Sequence, residues 1–356
     1  MPRPRLDLAV AGGLALFLEL ALIRWLPAHV PFLAFFSNAV LLATFVGLSV
    51  GCLTAGRPAR HLRRTPVWLL AAVAAGLLVD HHAGKLIRHV DVGGQANPEV
   101  VFFGAESAAL RPVETTVPVE LVMGVFFVLA AGVMVGPGQE VGRTFRRLPG
   151  SGRAYALNLV GSLLGIAAFA GCSSLALPPA VWFWVVGVGL AYLMVRPTGD
   201  AEPAGPVWTW AAPLAVAVGA TGLTSGFVPG KHGTVTTWSP YYRIDFSPHD
   251  GAVTTNGLGH QLIHPTAGPS LSPYALPYLF QRDVPGWKPY RRVLVIGAGS
   301  GNDVARACQW CGPDARIDAV EIDPVIQGIG QAHHPDHPYQ DARVTAHLAD
   351  GRTFLR

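Results

Sequence analysis

The sequence predicts two unlike halves: an α-helical membrane bundle of about seven spans, then a small β-hairpin domain leading into a partial α/β domain with a parallel sheet. Three observations carry this. Long apolar runs crowd the chain before residue 228, where charge is scarce. Two runs of β-branched and aromatic residues follow, separated by turn dipeptides. From residue 292 the pattern becomes strand, glycine-rich turn, helix, strand, helix, strand. The corresponding boundaries are 1–228, 229–285 and 286–356.

Composition supports the division. Of 356 residues, 51% are hydrophobic and only 13% charged, well below the share expected of a soluble domain. The net charge of +4 is mostly arginine in short connecting loops, which points to membrane orientation and not to nucleic acid, since no basic patch interleaved with aromatics occurs. Four scattered cysteines, Cys52, Cys172, Cys308 and Cys311, do not make a disulfide scaffold. The first apolar run is long and followed by others, so it reads as a span and not as a cleaved signal.

The apolar runs fall near 7–27, 31–55, 66–80, 116–136, 154–176, 180–196 and 207–227, each close to the ~20 residues that cross hydrocarbon. The third and sixth are short, so six or eight spans also fit. "RPARHLRR" (57–64) and "GRTFRRLPGSGR" (142–153) carry the arginines and are expected on the cytoplasmic side; the mixed segment 81–115 is expected opposite. Seven spans from an inside N-terminus would place the C-terminal region outside. A nucleoside pocket needs it inside, and we take the latter as the expectation: a multi-pass plasma (inner) membrane protein with a cytoplasmic C-terminal domain. Glu19 lies in the middle of the first span, where an acid costs roughly 2.5–3.5 kcal/mol, and Arg24 nearer its end, where it can snorkel. Five positions apart, they do not share a helix face. They read either as an intramembrane substrate or proton site or as polar packing contacts. Gly161 and Gly165, flanked by Asn158 and Ser162, have the spacing that lets two helices approach closely.

After residue 233, Tyr242, Ile244 and Phe246 alternate with polar neighbours, and Asn256-Gly257 is a strong turn signal, so 234–265 reads as β-hairpins. The proline-punctuated stretch to Tyr290 reads as part helix, part connection. "VLVIGAGSGND" then opens the α/β pattern. A dinucleotide fingerprint needs a third glycine where Asn302 stands. G-x-G-x-G, here Gly297, Gly299 and Gly301, is instead the turn common in S-adenosylmethionine-type transferases. Glu321 ends the second strand, where a carboxylate can accept from ribose hydroxyls. Asp350-Gly351 ends the third, where an acid can accept from an adenine amino group. Asp303 follows the turn.

In these residues the chain resembles the spermidine synthase (polyamine aminopropyltransferase) family, and more closely its membrane-bound, multi-span members. The matching segments are "LELALIRW", "GRAYALNLVGSLLG", "SPYYRIDF…TNGLGHQ", "VLVIGAGSGND", "DAVEIDP" and "RVTAHLADGRTFL". The resemblance implies a β-hairpin lid domain before a partial α/β Rossmann methyltransferase-like domain, in a transferase that uses decarboxylated S-adenosylmethionine or S-adenosylmethionine as co-substrate, no metal, and a small amine or other small-molecule acceptor. It assigns ribose to Glu321, adenine to Asp350 and the floor beneath the nucleoside to Gly297–Gly301. Tyr242, His260 and Gln261 on the hairpins are candidate substrate residues. Two features depart from the family: Ser300 stands where an aspartate holds the aminopropyl amine, and "SLSPYALPY" (270–278) lacks the family's acids. The family's catalytic aspartate follows a fourth strand, which would lie beyond Arg356, so a truncated chain without turnover is expected, its first strand an unpaired edge if the order is 3-2-1-4-5. Two other readings stay open: methyl transfer, and a membrane transporter or scaffold with a nucleoside-sensing domain. The bilayer is an expected partner, and homo-oligomerisation is compatible.

Two further clusters carry metal-binding or redox residue types. Cys308-Gln-Trp-Cys311 has redox and zinc spacing but no second pair, and reads as two buried thiols. "HHPDHP" (333–338) offers metal-ligand types, yet its prolines and position favour a solvated connection.

Overall fold

The computed structural model describes residues 4–86, 90–91, 117–195, 206–226, 233–267 and 275–356. Its contacts divide the chain into two compact units, 1–228 and 229–356. Most of the 81–115 connection and residues 270–274 of the acid-poor stretch lie outside the described residues.

The first unit is helical. Its helices are α1 (Pro4–His29), α2 (Pro31–Phe35), α3 (Ser37–Leu53), α4 (Thr65–Leu86), α5 (Val119–Arg147), α6 (Ser151–Ser174), α7 (Pro179–Val195) and α8 (Trp208–Gly222). Four are long and apolar enough to cross a membrane: Pro4–His29, His61–His82, Val119–Arg147 and Ser151–Ser174. The third apolar run, expected to be short, continues as helix to Leu86, since "DHHAGKL" contains no proline and its one glycine, Gly84, lies near the helix end. α1 is apolar on every side and accordingly enclosed, with Leu8, Leu18, Leu22, Trp25 and Leu26 fully buried.

Small residues set the helix spacing. A side chain at Gly161 would strike the backbone of Ala9, and one at Gly165 the backbone of Gly13, so α1 and α6 touch along the expected seam. Asn158 and Ser162 pack over Gly12. A second seam joins α3 to α5, where Gly47 meets Ala131 and Gly138 meets Leu48. Within α5, Pro137 has no N–H to give the carbonyl of Val133. The Thr65 hydroxyl donates to that carbonyl at 3.4 Å instead.

Glu19 and Arg24 have different hydrogen-bond partners. Glu19 is buried and accepts from the Thr44 hydroxyl at 3.3 Å. Arg24 donates to Ser173 and lies 4.9 Å from the ring centre of Trp182, a cation–π contact. Each polar group is thus met by a different neighbouring helix.

The second unit holds two sheets. Strands β1 (Val235–Trp238), β2 (Arg243–Ser247), β3 (Ala252–Thr255) and β4 (Leu258–Leu262) form an antiparallel meander in chain order. Helix α9 (Leu276–Asp283) follows. Then β5 (Arg292–Ile296), α10 (Asn302–Trp310), β6 (Arg316–Glu321), α11 (Pro324–His333), β7 (Val344–Leu348) and the short α12 (Gly351–Phe354) build a parallel sheet in the order β5–β6–β7. β6 is central and β5 an edge, with Leu294 and Ile296 exposed. Val295, Val304, Ala307, Ile317 and Ala319 pack with Tyr278 of α9. Ile244, Phe246 and Val253 of the meander pack on Ile326 of α11, which brings β4 to the end of the parallel sheet.

Candidate functional site

Every glycine of the turn after β5 has a left-handed backbone: φ is 75° at Gly297, 57° at Gly299 and 100° at Gly301. A side chain at each would cost strain, which explains the residue type before any ligand is considered. The Gly297 and Ala298 amides donate to the carbonyl of Val320, at 2.9 and 3.0 Å, fastening the turn to the end of β6.

Glu321, at that strand end and 6% exposed, closes the arrangement. Its Oε2 accepts from the Gly299 amide at 2.8 Å, and its Oε1 from the Ile322 and Asp323 amides, both at 2.8 Å. A carboxylate offers about four acceptor positions, so roughly one remains. Asp323, fully buried, caps α11 by accepting from the Val325 and Ile326 amides at 2.9 and 3.3 Å through Oδ1. Its Oδ2 has no hydrogen-bond partner. The acid followed by proline in "DAVEIDP" signals this cap, but not the orphaned oxygen beside the turn.

The meander reaches the same place through an irregularity. Val253 pairs with Gln261 and Thr254 with Gly259, so His260 is an extra residue, a β-bulge. In a regular strand, neighbours point to opposite faces; the bulge sends both His260 and Gln261 toward the turn. Gln261 Oε1 accepts from the Ser300 amide at 2.8 Å, and its side chain lies against Gly299, leaving no room for a methyl there. His260 is solvent-exposed yet within electrostatic reach of Glu321 and Asp323; partial desolvation lowers its imidazole, and the two acids oppose this.

Residues outside the set of candidate site residues also pack around the turn. Asn302, which replaces the third glycine, donates through Nδ2 to the Leu262 carbonyl at 2.8 Å, and its Oδ1 accepts from the His264 amide at 3.2 Å. His334 is fully buried, with Nε2 3.2 Å from Asn302 Oδ1 and Nδ1 accepting from the Asp336 amide at 3.2 Å. Asp336 in turn accepts from the Thr266 amide at 2.6 Å. "HHPDHP" is mostly exposed, as expected of a solvated connection, but its buried His334, together with Asp336, also latches the meander to the sheet. Among the described residues no group of three or more His, Cys, Asp or Glu is arranged to hold a metal. Tyr339 donates to the Gly299 carbonyl at 2.7 Å; burial, then Glu321, pushes its hydroxyl up, so it remains a donor. Ser300 is fully buried and its Oγ has no hydrogen-bond partner.

Other candidates lie elsewhere. Asp303 is half-buried, which pushes its carboxyl up, and is within electrostatic reach of Tyr278 in the core below. Asp350 is exposed and caps α12, its Oδ1 accepting from the Thr353 amide at 2.9 Å and hydroxyl at 3.1 Å, which holds its carboxyl down. Gly351 abuts Ile296, so it brings α12 against the end of β5. Tyr242 is exposed beside Tyr241, their rings 6.3 Å apart. Gln261 shares a row with Val253 and Phe246, which puts Tyr242 four residues, roughly 13 Å, farther along the sheet. Cys311 is buried, Cys308 partly so, and both are free thiols; burial first, then Asp341, pushes Cys308 up to about 12.

Comparison with known proteins finds short local likeness of one kind. The chain is 35% identical over 65 residues to a polyamine aminopropyltransferase of Vibrio vulnificus, covering 18% of this chain and 21% of that protein. It is 37% identical over 68 residues to spermidine synthase 1 of Hyoscyamus niger, with coverage of 18% and 21%, and equally to spermidine synthase of Solanum lycopersicum, with 18% and 20%. The chain spans about a fifth of the length of the curated relatives it matches. No family model matches, and no solved structure matches.

Proposed function

We propose that residues 229–356 contribute the nucleoside-holding part of a spermidine synthase-like transferase, carried on a bundle of about seven membrane spans, with the α/β region cytoplasmic at the plasma (inner) membrane. The carrying observation is the meeting of Glu321, Gln261 and His260 at a three-glycine turn, within a unit that shares local sequence with aminopropyltransferases. The co-substrate in this reading is decarboxylated S-adenosylmethionine or S-adenosylmethionine. The unused acceptor position on Glu321 takes a ribose hydroxyl, and Asp350 Oδ2 takes an adenine amino proton. The glycines let the ligand approach the backbone, and Gln261 and His260 cover it from the meander.

In aminopropyl transfer, the lone pair of an acceptor amine forms a C–N bond at the carbon attached to the sulfonium. The C–S bond breaks, its electron pair goes to sulfur as a neutral thioether, and the new ammonium releases a proton to a base. The residues here serve the orientation of that event, which raises rate by holding the reacting atoms in line. A second reading, methyl transfer, is favoured by Ser300, a neutral side chain at the position where the resemblance leads one to expect an acid for an aminopropyl ammonium.

Calorimetric titration of the detergent-purified chain with both nucleosides tests these readings. Tighter binding of the decarboxylated form supports aminopropyl chemistry, and tighter binding of S-adenosylmethionine supports methyl transfer. Binding of neither sinks both and leaves the transporter or scaffold.

A further inference from the structure

The most basic region of the helical unit encloses a cavity that neither proposed chemistry uses. Its volume is about 350 Å³, and it is lined by Arg57, Arg143, Arg146 and Arg147, with Gly56 and Pro58 between them. Among the described residues, the lining holds four guanidinium groups and no carboxylate. The nearby acid, Glu140, does not line the cavity: it is buried, lies 3.6 Å from Arg60 and is within electrostatic reach of Arg143.

The cavity is built, not incidental. Arg143 is 8% exposed, and its Nη2 donates to the carbonyls of Arg57, Pro58 and Ala59 at 2.6, 3.2 and 3.0 Å. Gln139 ties the same loop by donating to the Thr54 and Ala59 carbonyls at 3.1 and 2.9 Å, and by accepting from the His61 amide at 2.8 Å. These bonds fix the loop as the wall of the cavity. Yet the Nη1 of Arg143 is buried with no hydrogen-bond partner. A buried guanidinium donor without a hydrogen-bond partner is costly, and the single acid within its electrostatic reach, Glu140, is outnumbered by the four arginines that line the cavity. Gly56 is pressed against the Arg146 guanidinium, so that side too is shaped around an arginine.

We propose that this cavity binds a phosphate group, with Arg143 Nη1 and the guanidinium groups of Arg57, Arg146 and Arg147 as donors. Planar forks with several N–H groups match the multiple oxygens of phosphate, and four positive charges suit a group carrying one to two negative charges. The cavity lies at the C-terminal end of α5, a helix long enough to cross a membrane, so the phosphate can come from a lipid headgroup or from solution.

The test uses the full chain in detergent at constant ionic strength, following its thermal midpoint against inorganic phosphate and against mixed micelles of phosphatidylglycerol, with phosphatidylcholine micelles and sodium acetate as controls. The wild type is expected to rise with at least one phosphate probe beyond its control. Arg146→Gln/Arg147→Gln, and separately Arg57→Gln, should need at least tenfold more of it. Arg57, Arg146 and Arg147 are not bound by their side chains to the loop carbonyls, so the variants keep the wall that Arg143 and Gln139 form. A response to phosphatidylglycerol alone identifies a lipid headgroup, and a response to inorganic phosphate as well identifies a soluble source. No response beyond controls, or equal midpoints in wild type and variants, overturns the proposal.

Discussion

The Glu321 carboxylate fastens the turn and, in the proposed reading, also holds the ribose, and substitution can separate the two. In Glu321→Gln one amide oxygen still accepts from Ile322 and Asp323, but the NH₂ then faces the Gly299 amide, donor against donor. We expect a stability loss of roughly 1–3 kcal/mol, with nucleoside affinity down at least tenfold. Affinity unchanged by calorimetry would separate Glu321 from the ligand. Gly299→Ala adds left-handed strain of about 1–2 kcal/mol and a clash with Gln261. Gln261→Ala in the same chain should relieve the clash and leave the strain, so a double-mutant cycle by urea unfolding should show positive coupling; simple additivity would refute the contact. His334 links the site to pH. Burial lowers its imidazole below the ordinary 6.5, against the pull of Asp336. The unfolded chain therefore binds more protons below about 6.5, so the contribution is complete above that value and is lost as pH falls toward the folded pKa. Hydrogen exchange at the Gly299 and Ser300 amides should accelerate between pH 6.5 and 5, after correction for intrinsic rates, less steeply in His334→Gln. Parallel slopes would count against His334.

At the scale of elements, two kinds of glycine are distinguished by what surrounds them. Gly165 lies against the backbone of α1, so Gly165→Val should force α1 and α6 apart at a cost of about 1–3 kcal/mol. Gly124 has open space around it on α5, so Gly124→Ala should be neutral or slightly stabilising. Thermal unfolding in detergent checks both, and equal effects would discard the seam. That seam was legible, because small residues four apart in an apolar run have few other uses. The strand–turn–helix pattern at 292–323 was legible for a similar reason: left-handed glycines and an acid–proline cap are local requirements. The bulge at His260 was not. It depends on how β4 registers against β3, and nothing in "GLGHQL" alone states which residue is the extra one.

For the whole molecule, the exterior of the helical unit is the informative surface. Leu53, Leu164, Leu175 and Trp184 are among many large apolar side chains left exposed on it. With four helices long enough to cross hydrocarbon, the chain should sediment with membranes and resist alkaline carbonate extraction. Release into the supernatant would remove the membrane reading. Its division into a helical and an α/β unit follows from composition, since hydrophobic periodicity and charge density change together near residue 228. The glycine turn and the acid at the next strand end likewise follow from residue type, because backbone strain and strand-end chemistry are short-range. Long-range pairing decided the rest. Glu321 spends most of its acceptor capacity on the turn, Asn302 and His334 latch the meander to the sheet, Asp303 comes within electrostatic reach of Tyr278, and arginines from one loop and the end of α5 line one cavity. Such partners are tens of residues apart in the chain, and only the packing of strands and helices sets which of them meet.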